Sequence, residues 1–260
     1  MDLQETFPQL AKDPIVEAMI SLVARVEGDW SESSAGQLVA SVRDKYPQSQ
    51  SLNSAQITLA FQPGQPSETG DTTLSPASQQ AKIGWAGYRV FSADSKQAAT
   101  ITRDGITVNC LAPYRGWQAI YSDALWLWER FAKCASIRSV ERLLVRYINR
   151  LEVPEIGFEP SKYFEGIGSL SSAMIRGPFL HQDVLALREM PSYQARLVRT
   201  IDLGVIRPGI IPLIVDIEAV MTEPFPAEMP MISKRLEEMH WLKNTAFFAG
   251  VTKGFTDLCR

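Results

Sequence analysis

The sequence predicts an α+β protein: a mostly antiparallel sheet with helices packed on it. Three observations carry that expectation. Many separate segments alternate apolar and polar residues with period two, which is the mark of a half-buried strand. Tight-turn signals join several of them, as antiparallel neighbours require. Long amphipathic helices follow groups of strands instead of alternating with single strands.

The first strand is expected at 15–27. Val16, Ala18, Ile20, Leu22, Ala24 and Val26 share one face, while Glu17, Ser21, Arg25 and Glu27 share the other. Ser33 or Ser34 offers an N-cap for a short helix carrying Leu38, Val42 and Tyr46, which ends before Pro47. Strands are expected at 55–61, 85–91, 98–103 and 106–110. Asp104-Gly105 between the last two reads as a hairpin turn with both residues at positive φ. The stretch 62–80 holds Pro63, Gly64, Pro66, Gly70 and Pro76 among small polar residues, and reads as a long, mobile, disordered surface loop. A helix follows at 117–133, with an apolar stripe of Trp117, Ile120, Tyr121, Ala124, Leu125, Trp128 and Phe131.

A long strand at 138–154 leads into an irregular stretch with one helical turn near 160–164. The second half then repeats the order of strands followed by a long helix. Strands are then expected at 184–188, 193–203 and 211–220. Pro230 opens a helix on which Met231, Arg235, Leu236, Met239, Lys243 and Phe247 are helically spaced, and a short helix closes the chain at 252–260. Two similar strand-rich lobes, 1–155 and 156–260, each with a long helix after its strands and packed as one unit, are the expected organisation.

The chain has 260 residues, 45% hydrophobic and 21% charged, enough for a substantial core. Its net charge of −3 does not favour nucleic acid as a partner. Three widely spaced cysteines, Cys110, Cys134 and Cys259, form no disulfide framework and suit reduced thiols. The acidic start lacks a secretory n-region, and no apolar run is long enough to span a membrane. A cytoplasmic protein without membrane association is expected.

Motifs for known chemistry are missing. There is no Gly-x-Ser-x-Gly elbow, no phosphate-binding glycine loop fed by a strand, and no Cys/His pattern for zinc. His181 and His240 read as ordinary surface or packing histidines, and no cofactor is expected. Asp216 and Glu218 alternate with Val215 and Ile217, so they share a strand face and form a candidate metal pair without a visible third ligand. Arg142, Arg146 and Arg150 share one face of the 138–154 strand with Leu144 and Ile148 between them. Partly covered guanidinium groups need acidic partners, and Asp216, Glu218, Glu17 and Asp202 are expected to supply them. The same row, with Asn149 beside it and Arg188, Arg196 and Arg199 added, is the alternative candidate for binding a phosphate, a carboxylate or a nucleic-acid backbone. Trp126, Trp241 and Phe248 lie off the main helix stripes and are candidates for inter-element packing or a partner surface.

Four short segments run in order along most of the chain: Pro14-Ile15-Val16-Glu17; Leu111-Ala112-Pro113-Tyr114 ahead of a Trp; Arg146-Tyr147-Ile148-Asn149-Arg150; and a tail around Asn244, Phe247 and Thr252. In this the chain resembles a sporadically distributed family of uncharacterised bacterial and archaeal proteins of about this length. The resemblance assigns no activity and no catalytic residues. It implies a context near mobile elements and anti-phage defence genes, and the proline-rich 62–80 stretch has no place in its pattern.

The expected function is a non-enzymatic interaction or accessory protein, a subunit of a prokaryotic defence-related assembly with a protein partner. A ligand- or nucleic-acid-binding domain using the arginine face is one alternative. A metal-dependent enzyme around Asp216 and Glu218 is the other.

Overall fold

A computed structural model describes residues 6–28, 30–63, 74–168, 179–202, 204 and 207–260, with side chains described outside 55–83. Among these residues the chain forms one nine-stranded sheet and four helices. Every strand pairing is antiparallel. The strands are β1 (Ile15–Glu27), β2 (Gln48–Pro63), β3 (Leu74–Phe91), β4 (Gln97–Thr102), β5 (Gly105–Leu111), β6 (Ser136–Pro154), β7 (Leu180–Leu187), β8 (Met190–Ile201) and β9 (Ile210–Met221). The helices are α1 (Glu32–Ser41), α2 (Trp117–Cys134), α3 (Met229–Gly250) and α4 (Lys253–Leu258), with a single 3-10 turn at Pro160–Lys162. No helix among the described residues is long and apolar enough to cross a membrane.

The sheet order is β2-β3-β4-β5-β1-β6-β9-β8-β7. Read outward from the centre, both halves follow one plan. The first strand of each half, β1 or β6, lies at the middle of the sheet. The chain then goes to the edge and returns by hairpins, so that β5 lies beside β1 and β9 beside β6, and a long helix, α2 or α3, follows. Because β1 and β6 pair antiparallel, the two halves are related by an approximate two-fold normal to the sheet at the β1–β6 seam. In this plan β6 opens the second half, so the topological repeat divides after α2, upstream of the expected lobe boundary at 155.

One face of the sheet carries the core. Alternation puts Ala18, Ile20, Leu22 and Ala24 of β1 inward, and Leu213, Val215, Ile217, Ala219 and Met221 of β9 do the same. α2 covers this face with Ile120, Ala124, Leu127, Trp128 and Phe131, and α3 with Ile232, Leu236, Met239, Leu242 and Phe247. The two helices run antiparallel: Trp117 Nε1 donates to Glu237, and Tyr121 pairs with Ser233 one turn along.

Three expectations need correction. The cap of α1 is Ser31, whose Oγ accepts from Ser34 N at 3.3 Å, not Ser33 or Ser34 itself. The Asp104-Gly105 hairpin forms, but neither residue has positive φ. Gly105 is needed there for a close approach instead: a Cβ would lie 2.0 Å from Leu22 O on β1. Finally, the expected loop at 62–80 is strand at both ends. Gln62 pairs with Ser75 and Pro63 with Leu74, and the ladder continues through Gln79 and Gln80. Backbone pairing needs no apolar face, so polar Ser and Gln side chains hide such a ladder from a periodicity reading. Residues 64–73 lie outside the described residues, as does Leu203 at the end of the expected 193–203 strand.

Candidate functional site

The arginine row lies on the helix-free face, and it is paired. Register places β9 beside β6 so that Glu218 stands opposite Arg146 and Asp216 opposite Ile148. Arg146 reaches diagonally to Asp216 with both ends of its fork, Nε to Oδ1 at 2.8 Å and Nη2 to Oδ2 at 2.7 Å. This bidentate bond raises the Arg146 pKa above its ordinary value. Glu218 takes Arg142 at 3.7 Å and Arg196 at 3.3 Å. Arg150 bonds Glu152 at 3.3 Å and lies 4.0 Å from Asp202. Glu17, expected as a further partner, acts on Arg146 through its charge without a direct bond and accepts from Asn109 Nδ2 at 2.8 Å. Asp216 and Glu218 thus spend their oxygens on guanidinium groups, an arrangement that disfavours a cation at the same atoms. No group of three or more metal-ligating side chains occurs among the described residues.

Arg199 does not join this row. It is buried on the opposite face, where it holds Glu165 O, Gly250 O, Asp183 and His181 together. Of the aromatic candidates, Trp126 is half-buried between the Arg130 guanidinium at 3.9 Å and the Lys45 ammonium at 4.9 Å from its ring. Trp241 is half-buried against the core, and its indole N–H has no partner among the described residues. Phe248 stacks on Phe7 at 5.5 Å and 5°.

Phe248 leads to a cavity of about 410 Å³. Its walls are the N-terminal segment around Phe7 to Ile15, the start of α2 at Trp117, Asn149 on β6, and α3 from His240 to Phe248. Its polar lining comes from residues far apart in sequence. The core stripe of α3 carries Lys243 inward among Met239, Leu242, Ala246 and Phe247, leaving it 7% exposed. Its ammonium sits 4.0 Å from the centroid of the Tyr147 ring. It has no hydrogen bond or ion pair among the described residues. Burial pushes the Lys243 pKa down to about 7, with the Asp13 carboxylate opposing that change. Asp13 is at the exposed rim. Partial desolvation raises its carboxyl and Lys243 works against the rise.

His240 stacks flat on Trp117, with centroids 4.1 Å apart and planes at 6°. Burial, then the Lys243 charge, push its pKa down to about 3, so it is neutral at neutral pH. Its Nε2 lies 3.3 Å from Asn244 Nδ2. Tyr114 and Tyr147 join their hydroxyls at 2.7 Å, and burial raises both pKa values, so both keep their protons. Asn149 donates Nδ2 to Val215 O at 3.0 Å.

Of the arginine-face candidates, Asn149 belongs here: it points to the helix side, toward the cavity, away from Arg142, Arg146 and Arg150. Lys243 was legible only as one member of a helical spacing. The available signal was a lysine inside an otherwise apolar stripe. Pro14 and Ile15, Tyr114, Asn149, and Asn244 with Phe247 all line this one cavity.

Comparison of the chain with protein-family models, curated proteins and solved structures found no match.

The opposite end of the α2–α3 seam, which the approximate two-fold relates to the cavity, carries aromatic rings. There Trp30 meets Phe131 edge-on at 5.2 Å, Trp128 packs on Phe131 at 5.6 Å, and Phe225 bridges to Val140. That end is lined by rings, and this one by a cavity with polar side chains.

Proposed function

We propose that this chain is a non-enzymatic binding module that holds a small organic molecule in the α2–α3 cavity, with Lys243 as its polar anchor. One observation carries the reading: a buried amine faces a cavity with no hydrogen bond or ion pair among the described residues, and only the rim carboxylate of Asp13 acts on it electrostatically. A buried charge without a partner is costly, and a bound ligand offsets that cost. The volume lies within the range of small-ligand sites, roughly 300–1,000 Å³, and the lining has the usual mix of aromatic walls and a few convergent polar groups.

Neutral, stacked His240 and the fully protonated tyrosines form no nucleophile–base pair, which favours binding over catalysis. The arginine face, already matched with acids, is the weaker candidate for a ligand. The accessory role in an assembly, expected from the missing catalytic motifs and the aromatics off the helix stripes, fits such a module, with occupancy of the cavity as the signal passed to a protein partner.

The test is thermal unfolding of the purified chain against small carboxylates and small aldehydes at millimolar concentration. A binder is expected to raise the midpoint through mass action, by RT ln(1 + [L]/Kd) in stability. Lys243→Met is expected to keep the fold and lose the rise. Equal responses from the wild type and the variant, or no saturable binder in either class, would refute the reading.

A further inference from the structure

Among the chemistries a cavity-facing amine could serve, the structure favours one. We propose that Lys243 captures a small aldehyde as a reversible imine, with the ring of Tyr147 beneath the amine and the Tyr114–Tyr147 hydroxyl pair beside it. This rests on the reading of the cavity as a ligand site and names the class of ligand it takes.

The argument starts from what surrounds the nitrogen. Among the described residues no side chain holds Lys243 Nζ by a hydrogen bond or ion pair; its near contact is the face of Tyr147 at 4.0 Å, and the Asp13 carboxylate acts on it only through its field. A lysine placed to hold an anion permanently charged is usually supported by neighbouring acceptors. A lysine placed to react is isolated, so that its lone pair is free. Desolvation acts in the same direction, bringing the amine to about pKa 7 so that a large fraction is neutral at neutral pH. A carboxylate ligand would also have to lie near the Asp13 carboxyl at the rim, whereas a neutral carbonyl meets no such repulsion. The flat Trp117–His240 stack and the Phe7–Phe248 stack in the wall suit a planar or apolar remainder of the molecule.

The chemistry balances without another reagent. The neutral amine adds its lone pair to the carbonyl carbon, forming the C–N bond and moving the carbonyl electron pair onto oxygen. That oxygen takes up a proton to give the carbinolamine while the nitrogen sheds one. The hydroxyl is then protonated and leaves as water, and the C=N bond forms. The joined hydroxyls of Tyr114 and Tyr147, which both donate and accept, and the Asp13 carboxyl are the groups placed to relay these protons. No oxidation state changes, and hydrolysis runs the same steps backward.

The experiment is reductive trapping of the full chain. The protein is treated at pH 7 with a limiting amount of benzaldehyde or butanal and cyanoborohydride, and the alkylated lysine is located by peptide mass spectrometry. Lys243 is expected to be alkylated at least about tenfold faster than exposed Lys133 and Lys253, whose ammonium groups are ion-paired with Glu129 and Asp257. Alkylation spread evenly over the exposed lysines, or absent at Lys243, would overturn the proposal. A parallel thermal-unfolding series with benzoate and with benzaldehyde, without reductant, separates the two readings. A benzoate response that needs Lys243, with no trapped adduct, would sink the imine and leave the cavity as a ligand site. No response to either compound and no adduct would sink both.

Discussion

Position 243 sets a lysine where the helix pattern asks for an apolar residue. In the unfolded chain its pKa is near 10.5, and in the folded chain burial brings it to about 7. Between those values the unfolded state holds a proton that the folded state has released, so stability rises with pH across that window and the full penalty is present below pH 7. A tenfold difference in proton affinity between the two states corresponds to about 1.4 kcal/mol. Lys243→Met is therefore expected to stabilise the protein by several kcal/mol at pH 6 and by much less near pH 10. Urea denaturation at the two pH values checks this; a variant less stable than the wild type at pH 6 would contradict the burial account. His240 adds to the same slope further down. Its folded pKa of about 3 lies below its ordinary 6.5, so stability present above pH 6.5 is lost as the pH falls toward 3.

Between elements, strand register decides which charges meet. Period two alone puts Arg142, Arg146 and Arg150 on one face of β6, and the need for acids on the next strand follows from their partial burial. That Arg146 meets Asp216 and not Glu218, the residue directly opposite, follows from the register and the diagonal reach of the fork. Asp216→Asn is expected to cost about 1–2 kcal/mol in urea denaturation, since Arg146 is partly open to water and solvent replaces some of the lost pair. A loss below the error of the measurement would show that the ladder contributes nothing. The β1–β5 contact makes a harsher demand. Gly105→Ala puts a carbon against the Leu22 carbonyl, which is backbone and has no rotamer to move, so a loss of more than about 2 kcal/mol is expected. Unchanged stability of this variant would mean that the two strands can separate at no cost. The Asp-Gly signal thus located the hairpin correctly while assigning the glycine a different physical role.

At the scale of the molecule, the seam between β1 and β6 joins the two halves, and each long helix lies over the strands nearest that seam. Strands at the centre have both ladders paired and one face covered by helices. The outermost strands β2 and β7 have one ladder each, and β7 exposes Leu180 and Val184. Hydrogen exchange followed by mass spectrometry is expected to find β1, β6 and β9 opening only with global unfolding and β7 exchanging faster by at least about tenfold. Equal protection across the sheet would argue against a stability gradient from seam to edge. The approximate two-fold also frames the cavity. One end of the α2–α3 seam carries Trp30, Trp128 and Phe131, while the other holds Lys243 and the tyrosine pair.

Local periodicity was enough to determine the α+β class, most strands and both long helices, because alternation and helical spacing are properties of a few neighbouring residues. It was also enough to show that the β6 arginines need acids, since burying a charge has the same cost in any fold. The part of the β2–β3 ladder that runs into the expected 62–80 loop escaped it, because polar residues can pair through the backbone without alternating. Only the tertiary structure decided that Asp13, Tyr114, Asn149, His240 and Lys243 surround one cavity, with Tyr147 packed behind Lys243 and Tyr114. Their meeting depends on β6 crossing to the centre of the sheet beside β1 and on α2 and α3 lying antiparallel above the seam. These are long-range arrangements, and no short stretch of residues encodes them.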